Sequence, residues 1–204
     1  MSIWNERYAG EHYHFGTEPN AFLVSQRHLL KPGMSCLAVA DGEGRNGVWL
    51  AEQGLEVLSV DSSPVALEKA KRLAAERGAK LDFELADLLN WEWRESRYDV
   101  VAAIFIQFVG PELRAQMLGH IQCSLKPGGL LLLQGYTPRQ LEYRTGGPSQ
   151  VENLYTEDML REAFADMEVL HLAEHDSFIS EGSGHHGMSA LIDLVARKPQ
   201  LNDS

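Results

Sequence analysis

Ser35-Cys36-Leu37-Ala38-Val39-Ala40-Asp41-Gly42-Glu43-Gly44-Arg45-Asn46-Gly47 runs from an apolar stretch directly into a Gly-x-Gly-x-x-Gly turn. The apolar part follows Pro32-Gly33 and reads as a buried strand, and Asn46 to Gln53, stopped by Gly54, reads as a helix. Glycines at such a junction let the backbone turn tightly and let a ligand approach it closely. The helix that follows offers unpaired N–H groups to an anionic ligand group. A tight turn with no ligand is the alternative reading of the same residues.

Downstream, short apolar runs alternate with amphipathic segments. Glu56 to Val60 reads as a second strand, Ser63-Pro64 opens a helix that Gly78 stops near Arg77, and Leu81 to Leu85 reads as a third strand. Tyr98 to Phe105 is a strongly apolar fourth strand. A helix from Pro111-Glu112 ends before Lys126-Pro127-Gly128-Gly129, and Leu130 to Gln134 is a fifth strand. Strands alternating with helices imply a parallel sheet with right-handed crossovers. Val100 to Ile104 is apolar on both faces, as a sheet covered on both sides requires. Gly135 to Asn153 is polar, and Thr156 caps a helix to Ala165. Glu168 to Ala173 and Met188 to Ala196 follow as two strands with no helix between them, which suggests an antiparallel pair at a sheet edge. Ser177 to Gly187 reads as the loop joining them. The segment before Lys31 is aromatic and polar, and reads as an N-terminal helical cap, residues 1–30, on a single domain spanning 1–204.

Two acids stand at strand ends beside the glycine turn. Asp61, ending the second strand, can accept from a ribose diol; it can also be an N-cap or a surface acid, although Ser62 and Ser63 are better placed to cap. Asp87, after the third strand, can accept from the exocyclic amine of an adenine, or be a solvated loop acid. In open α/β sheets, ligands bind beyond the carboxyl ends of the strands. The three markers therefore converge on one crevice.

Composition narrows the class. The 204 residues carry a formal net charge of −11, with 44% hydrophobic and 23% charged residues. That suits one globular domain. The negative charge disfavours nucleic acid as a partner. Val100 to Ile106 is the longest apolar run and is too short to cross a bilayer, and Met1 to Arg7 lacks the apolar stretch of a secretory signal. Cys36 and Cys123 read as two reduced, buried thiols of a cytoplasmic protein. His12-x-His14 and His185-His186 lack partnered carboxylates at metal-ligand spacing, so no metal site is read.

With these residues in view, the chain resembles the class I S-adenosylmethionine-dependent methyltransferases. The resemblance rests on the glycine turn, Asp61, Asp87, Tyr98-Asp99-Val100-Val101 and Leu125-Lys126-Pro127-Gly128-Gly129. Trp4 to Tyr8 and Phe15 to Asn20 resemble the tellurite-resistance and thiopurine-type branch, whose N-terminal segment folds over the cofactor. The resemblance implies a Rossmann-like, seven-stranded, mostly parallel sheet of order 3-2-1-4-5-7-6, with strand seven antiparallel and helices on both faces. It implies S-adenosyl-L-methionine as cofactor, met by Ala40, Asp41, Gly42, Gly44, Arg45, Asp61, Ser62, Asp87, Leu88 and Ile104. The family commonly has an acid at the position of Ala38 and a glycine at that of Ala40. Asp41 is then the candidate for the cofactor's amino group and Arg45 for its carboxylate; an exposed helix arginine is the other reading of Arg45.

The activity so implied is methyl transfer to a small-molecule acceptor by in-line displacement, in which the protein supplies proximity and alignment. No side chain is read as an obligatory catalyst. Tyr13, Tyr136, Tyr143, His185 and His186, together with Arg144, are the candidates to face the acceptor. Tyr8, Tyr13 and Phe15 either close over the ligand or pack the N-terminal helix. Two rivals stand beside this reading. A non-catalytic S-adenosylmethionine-binding module is motivated by Ala38 and Ala40. An NAD-dependent oxidoreductase fits the glycine spacing and Asp61, but leaves Asp87 and Lys126-Pro127-Gly128-Gly129 without a role.

Overall fold

The computed structural model describes residues 3–200. Its centre is a seven-stranded sheet of order β3-β2-β1-β4-β5-β7-β6. The strands are β1 (Ser35–Val39), β2 (Glu56–Asp61), β3 (Asp82–Leu85), β4 (Tyr98–Ile104), β5 (Leu125–Tyr136), β6 (Glu168–Glu181) and β7 (His185–Arg197). β1 to β5 pair in parallel, and β7 runs antiparallel to both β5 and β6. The expected strand order and the antiparallel seventh strand are therefore both present.

Strand alternation builds two cores. Leu37, Val39, Val101, Ala103, Leu131 and Leu133 face one side with Ile192 and Leu194. They are covered by Met117, Leu118 and Ile121 of α5 (Pro111–Ser124) and by Leu160 of α7 (Glu157–Ala163). The intervening residues Cys36, Ala38, Val100, Ala102, Leu132 and Val195 face the other side. Phe22 and Leu23 of α2 (Ala21–Ser25) and Trp49 and Leu50 of α3 (Arg45–Glu52) cover them. Period-two alternation with both sets apolar is what a doubly covered sheet demands.

Local chemistry sets the helix ends. Ser63 Oγ accepts from Ala66 N at 3.2 Å, Pro64 starts α4 (Pro64–Arg77), and Gly78 closes it at φ 65°. Thr156 caps α7 by accepting from Met159 N. α6 (Gln140–Tyr143) is a single short turn after β5.

Three expectations need correction. Ser177 to Gly187 is not a loop: β6 and β7 continue as one long hairpin, paired out to Glu181↔His185. The turn is confined to Gly182-Ser183-Gly184, with Gly182 at φ 62°, and the polar outer half alternates more and less exposed residues as a strand does. The segment before Lys31 is helical only in α1 (Ile3–Tyr8), α2 and a 3-10 turn at Arg27–Leu29. Between α1 and α2 the chain is irregular, because Gly10, Gly16 and Pro19 interrupt any helical period. Cys123 is exposed rather than buried, whereas Cys36 is buried and its burial pushes the thiol pKa up.

Candidate functional site

A cleft of about 690 Å³ opens where the carboxyl ends of β1, β2 and β4 meet the N-terminal arm and the tip of the β6–β7 hairpin. β1 and β4 are neighbours, and the chain leaves them toward opposite edges of the sheet, so the cleft lies at the topological switch point.

One half of the cleft is built by strand ends. Asp61 is buried at the end of β2; one carboxylate oxygen accepts from Ser63 N and the other from Gly42 N, each at 2.8 Å. Burial raises the pKa of Asp61, against the hydrogen bonds from Ser63, Gly42 and Ser62. Ala40, Ser62, Asp87, Leu88 and Ile104 line the same half. Asp87 is exposed and accepts from Leu89 N and Asn90 Nδ2, so it also forms the turn after β3. Ala40 sits at φ 49°. A left-handed residue with a Cβ stores on the order of 1 kcal/mol of strain.

The glycine turn is held from beneath. Asp41 takes Gly47 N at 3.1 Å and the Ser59 hydroxyl at 2.8 Å. Burial pushes its pKa up to about 7, with Asp61 adding and Ser59, Gly47 and Arg45 opposing. Glu43 turns away from the cleft into a buried ion pair with Lys69 Nζ at 2.7 Å, and its other oxygen accepts from His14 N at 2.7 Å. Lys69 also donates to His12 O at 2.8 Å. One buried pair thus ties the turn, α4 and the arm together. Through it the arm lays Trp4, Arg7, Tyr8, His14 and Phe15 along the cleft.

The other half is aromatic. Phe105, at φ 56° just after β4, stacks on Tyr136 at 4.7 Å between centroids, and His185 packs on Phe105 at 4.6 Å and on Phe15 at 4.4 Å. His185 Nδ1 lies 3.3 Å from Glu181, whose carboxylate also takes Arg45 Nη2 at 2.8 Å and Asn20 Nδ2 at 3.1 Å. Gln107 pins the end of β5 by accepting from Tyr136 N and donating to Tyr136 O. The Tyr136 hydroxyl is buried and has no hydrogen-bond partner among the described residues. Such a group costs about 1–3 kcal/mol unless a ligand or water meets it.

The sequence candidates divide accordingly. Ala40, Asp41, Gly42, Arg45, Asp61, Ser62, Asp87, Leu88 and Ile104 all line the cleft, as do Tyr136 and His185. Gly44 does not: at φ 86° it caps α3, and a Cβ there would lie 2.6 Å from that of Ala70, so its small size serves helix packing. The Arg45 guanidinium is committed to Glu181 and to Glu18 O. Tyr13 lies on α4, donating to Lys69 O, and Tyr143 is drawn to Asp176 on the outer sheet edge. His186 points away from His185, as successive strand residues must, and meets Ser180. Phe105, Gln107 and Glu181 were not anticipated. Position immediately beyond β4 was a usable signal for the first two, by the strand-end rule. An acid in a polar hairpin carries none.

Comparison with known proteins shows what the chain is similar to. Residues 36–129 match the family described as methyltransferase domain. A carboxy-S-adenosyl-L-methionine synthase of Vibrio campbellii is 35% identical over 86 residues, 41% of this chain and 35% of that protein. A thiopurine S-methyltransferase of Nitrosospira multiformis is 27% identical over 175 residues, 74% of this chain and 79% of that protein. The chain spans about a third of the length of the first curated relatives it matches, at 35%, 31% and 35%. The N-methyltransferase NodS of Bradyrhizobium japonicum, solved in complex with S-adenosyl-L-homocysteine, superposes with a TM-score of 0.71 at 12% identity, covering 97% of each chain. Residues 36–129 thus match the methyltransferase-domain family, and the chain shares the fold of the N-methyltransferase NodS.

Proposed function

We propose that the protein transfers a methyl group from S-adenosyl-L-methionine to a small-molecule acceptor by in-line displacement. The observation that carries this is the divided cleft: paired acids and backbone at the ends of β1 to β3 on one side, an aromatic pocket with an unpartnered hydroxyl on the other. Asp61 would accept from the ribose diol through the capacity its backbone donors leave on the carboxylate, and Asp87, with Leu88 beside it, would meet the adenine. Ala40, Asp41 and Gly42 would meet the methionine end, with Ser62 and Ile104 beside it. When bound, the cofactor supplies an electrophilic methyl on a sulfonium. The chain's own task is to align the acceptor behind that methyl and keep water out, which the arm and the Gly146–Gln150 segment over the aromatic half suit. The domain spans 1–204 in this reading, with residues 1–30 as the closing arm.

A net charge of −11 argues for a small diffusible acceptor over nucleic acid. Among the described residues no helix is long and apolar enough to cross a membrane. The proposed setting is the cytoplasm.

Calorimetry with S-adenosylmethionine, S-adenosylhomocysteine and NAD tests the reading. Micromolar binding of the sulfur nucleosides is expected, and none of NAD. Asp61→Ala, its fold checked by circular dichroism, should weaken that binding at least about tenfold, since hydrogen bonds to a charged group contribute roughly 1.5–3 kcal/mol. Absence of sulfur-nucleoside binding to the unmodified protein rejects the reading.

A further inference from the structure

His185 is nearly fully buried in the wall of the cleft, at the first position of β7. Its Nδ1 faces Glu181, and its Nε2 has no hydrogen-bond partner among the described residues. Glu181 is held from two further sides, by Arg45 and by Asn20. We propose that His185 is the general base of the transfer, and that its acceptor is a thiol or hydroxyl on a small apolar or aromatic body. The inference rests on the methyltransferase reading and assigns the acceptor class within it.

The geometry fixes the tautomer. An ionised Glu181 can only accept, so Nδ1 carries the proton and Nε2 keeps its lone pair. Burial pushes the Glu181 carboxyl up, but the hydrogen bonds from His185 and Arg45 and the fixed charge of Arg45 overcome that and leave it at about 2. Burial lowers the pKa of His185, against the pull of Glu181, and Arg45 and His14 lower it further. The groups facing the imidazole are Glu181 from β6, Arg45 from α3, His14 from the arm and Tyr136 from β5. His14 is itself lowered by burial, so the imidazole faces one anion, one permanent cation and two neutral groups. It is therefore neutral and able to take a proton at neutral pH.

The surroundings select the acceptor. Phe15, Phe105 and Tyr136 wall the imidazole, which suits an apolar or aromatic body. The Tyr136 hydroxyl is enclosed behind this wall, with no hydrogen-bond partner among the described residues. As the acceptor's sulfur or oxygen forms its bond to the methyl carbon, the methyl–sulfonium bond breaks and its electron pair stays on the cofactor sulfur. The acceptor's proton passes to Nε2. One unit of positive charge thus moves from the sulfonium to the imidazole, where it rests against Glu181.

Two readouts test this on the full chain. Histidine-ring nitrogen NMR with S-adenosylhomocysteine bound, assigned with His185→Gln, should show Nδ1 protonated and Nε2 bare at pH 7, with a titration midpoint below the ordinary 6.5. Turnover is then read on benzyl mercaptan, which is protonated at neutral pH, and on 4-nitrothiophenol, which is already ionised. His185→Gln should lose about 100-fold or more on the first and under about tenfold on the second, with S-adenosylhomocysteine affinity kept. Equal losses on both thiols, or a protonated Nε2 at pH 7, overturn the base assignment. Methylation of neither thiol, and of neither benzyl alcohol nor 4-nitrophenol in their place, by unmodified protein that binds S-adenosylhomocysteine overturns the acceptor class. Failure to bind S-adenosylhomocysteine is a separate result and strikes the methyltransferase reading itself.

Discussion

Asp41 both supports the glycine turn and is the candidate to meet the cofactor's amino group, and Asp41→Asn tests each role by its pH dependence. In the folded chain its pKa rises from 3.8 to about 7, chiefly because the carboxylate is enclosed beneath the glycine turn. A carboxyl whose folded pKa lies above its unfolded value binds more protons when folded. Its stabilising contribution is complete below pH 3.8 and is lost as the pH climbs through about 7. At about 1.36 kcal/mol per unit, the full window amounts to at most about 4 kcal/mol, of which roughly 2–3 kcal/mol falls between pH 5 and pH 8. Asparagine removes the titration while keeping an oxygen for Gly47 N and gaining a donor for the Ser59 hydroxyl. Urea unfolding of both proteins at pH 5 and pH 8 should show the variant improving against the unmodified chain by about 2–3 kcal/mol between the two. A difference below about 0.5 kcal/mol would mean that the carboxylate titrates normally, and the enclosure argument fails. The same variant reports on the ligand. An ammonium settling beside Asp41 favours the ionised form, so at pH 6 binding of S-adenosylhomocysteine should release about one proton from the unmodified protein. Calorimetry in buffers of different ionisation enthalpy should find that release absent in Asp41→Asn.

Lys69→Met leaves Glu43 buried opposite no cation; a loss of about 3–5 kcal/mol in urea unfolding is expected, with faster proteolysis between α1 and α2, and a loss under about 1 kcal/mol would refute the clasp. Gly44→Ala forces a Cβ into the left-handed region 2.6 Å from that of Ala70, and should destabilise by about 2–4 kcal/mol while leaving S-adenosylhomocysteine affinity near normal in the folded fraction. A stable variant with lost affinity would return Gly44 to the ligand site.

Much of the fold is written in local signals. Ser63, Pro64 and Gly78 bracket α4 because capping and left-handed closure need only neighbours in the chain. The two-sided apolar character of β4 and β5 reports a sheet covered on both faces. Acids at strand ends are legible for a similar reason: Asp61 and Asp87 lie at the cleft because the chain direction puts them there. The failures share a cause in partners distant in sequence. Gly44 and Gly42 look alike in the string, yet Ala70 faces one and Tyr8 the other. Arg45 looks like an anion-binding helix arginine until Glu181 arrives from 136 residues away. The hairpin tip reads as loop because its polar residues face solvent on one side and the arm on the other, so no apolar period betrays the strand.

The same distinction explains how the cleft is held in shape. Its strand-end half is set by the parallel sheet, whose packing is apolar and continuous. Its aromatic half depends on the arm and the hairpin, which meet the sheet through a buried polar chain. Asn20 donates to both Glu181 and Gln134, Gln134 donates to Asp193, and Asp193 meets His175 at 2.9 Å. Apolar packing alone tolerates sliding, whereas each of these bonds is satisfied in one register only, because a one-residue slip of β7 would turn Asp193 to the opposite face. The chain therefore fixes His185 over Phe105 and Tyr136 by the same register that pairs Gln134 with Asp193. Substitutions at Asn20, Gln134 or Asp193 lie behind the wall of the cleft, yet they should move the aromatic half and leave the Asp61 half in place.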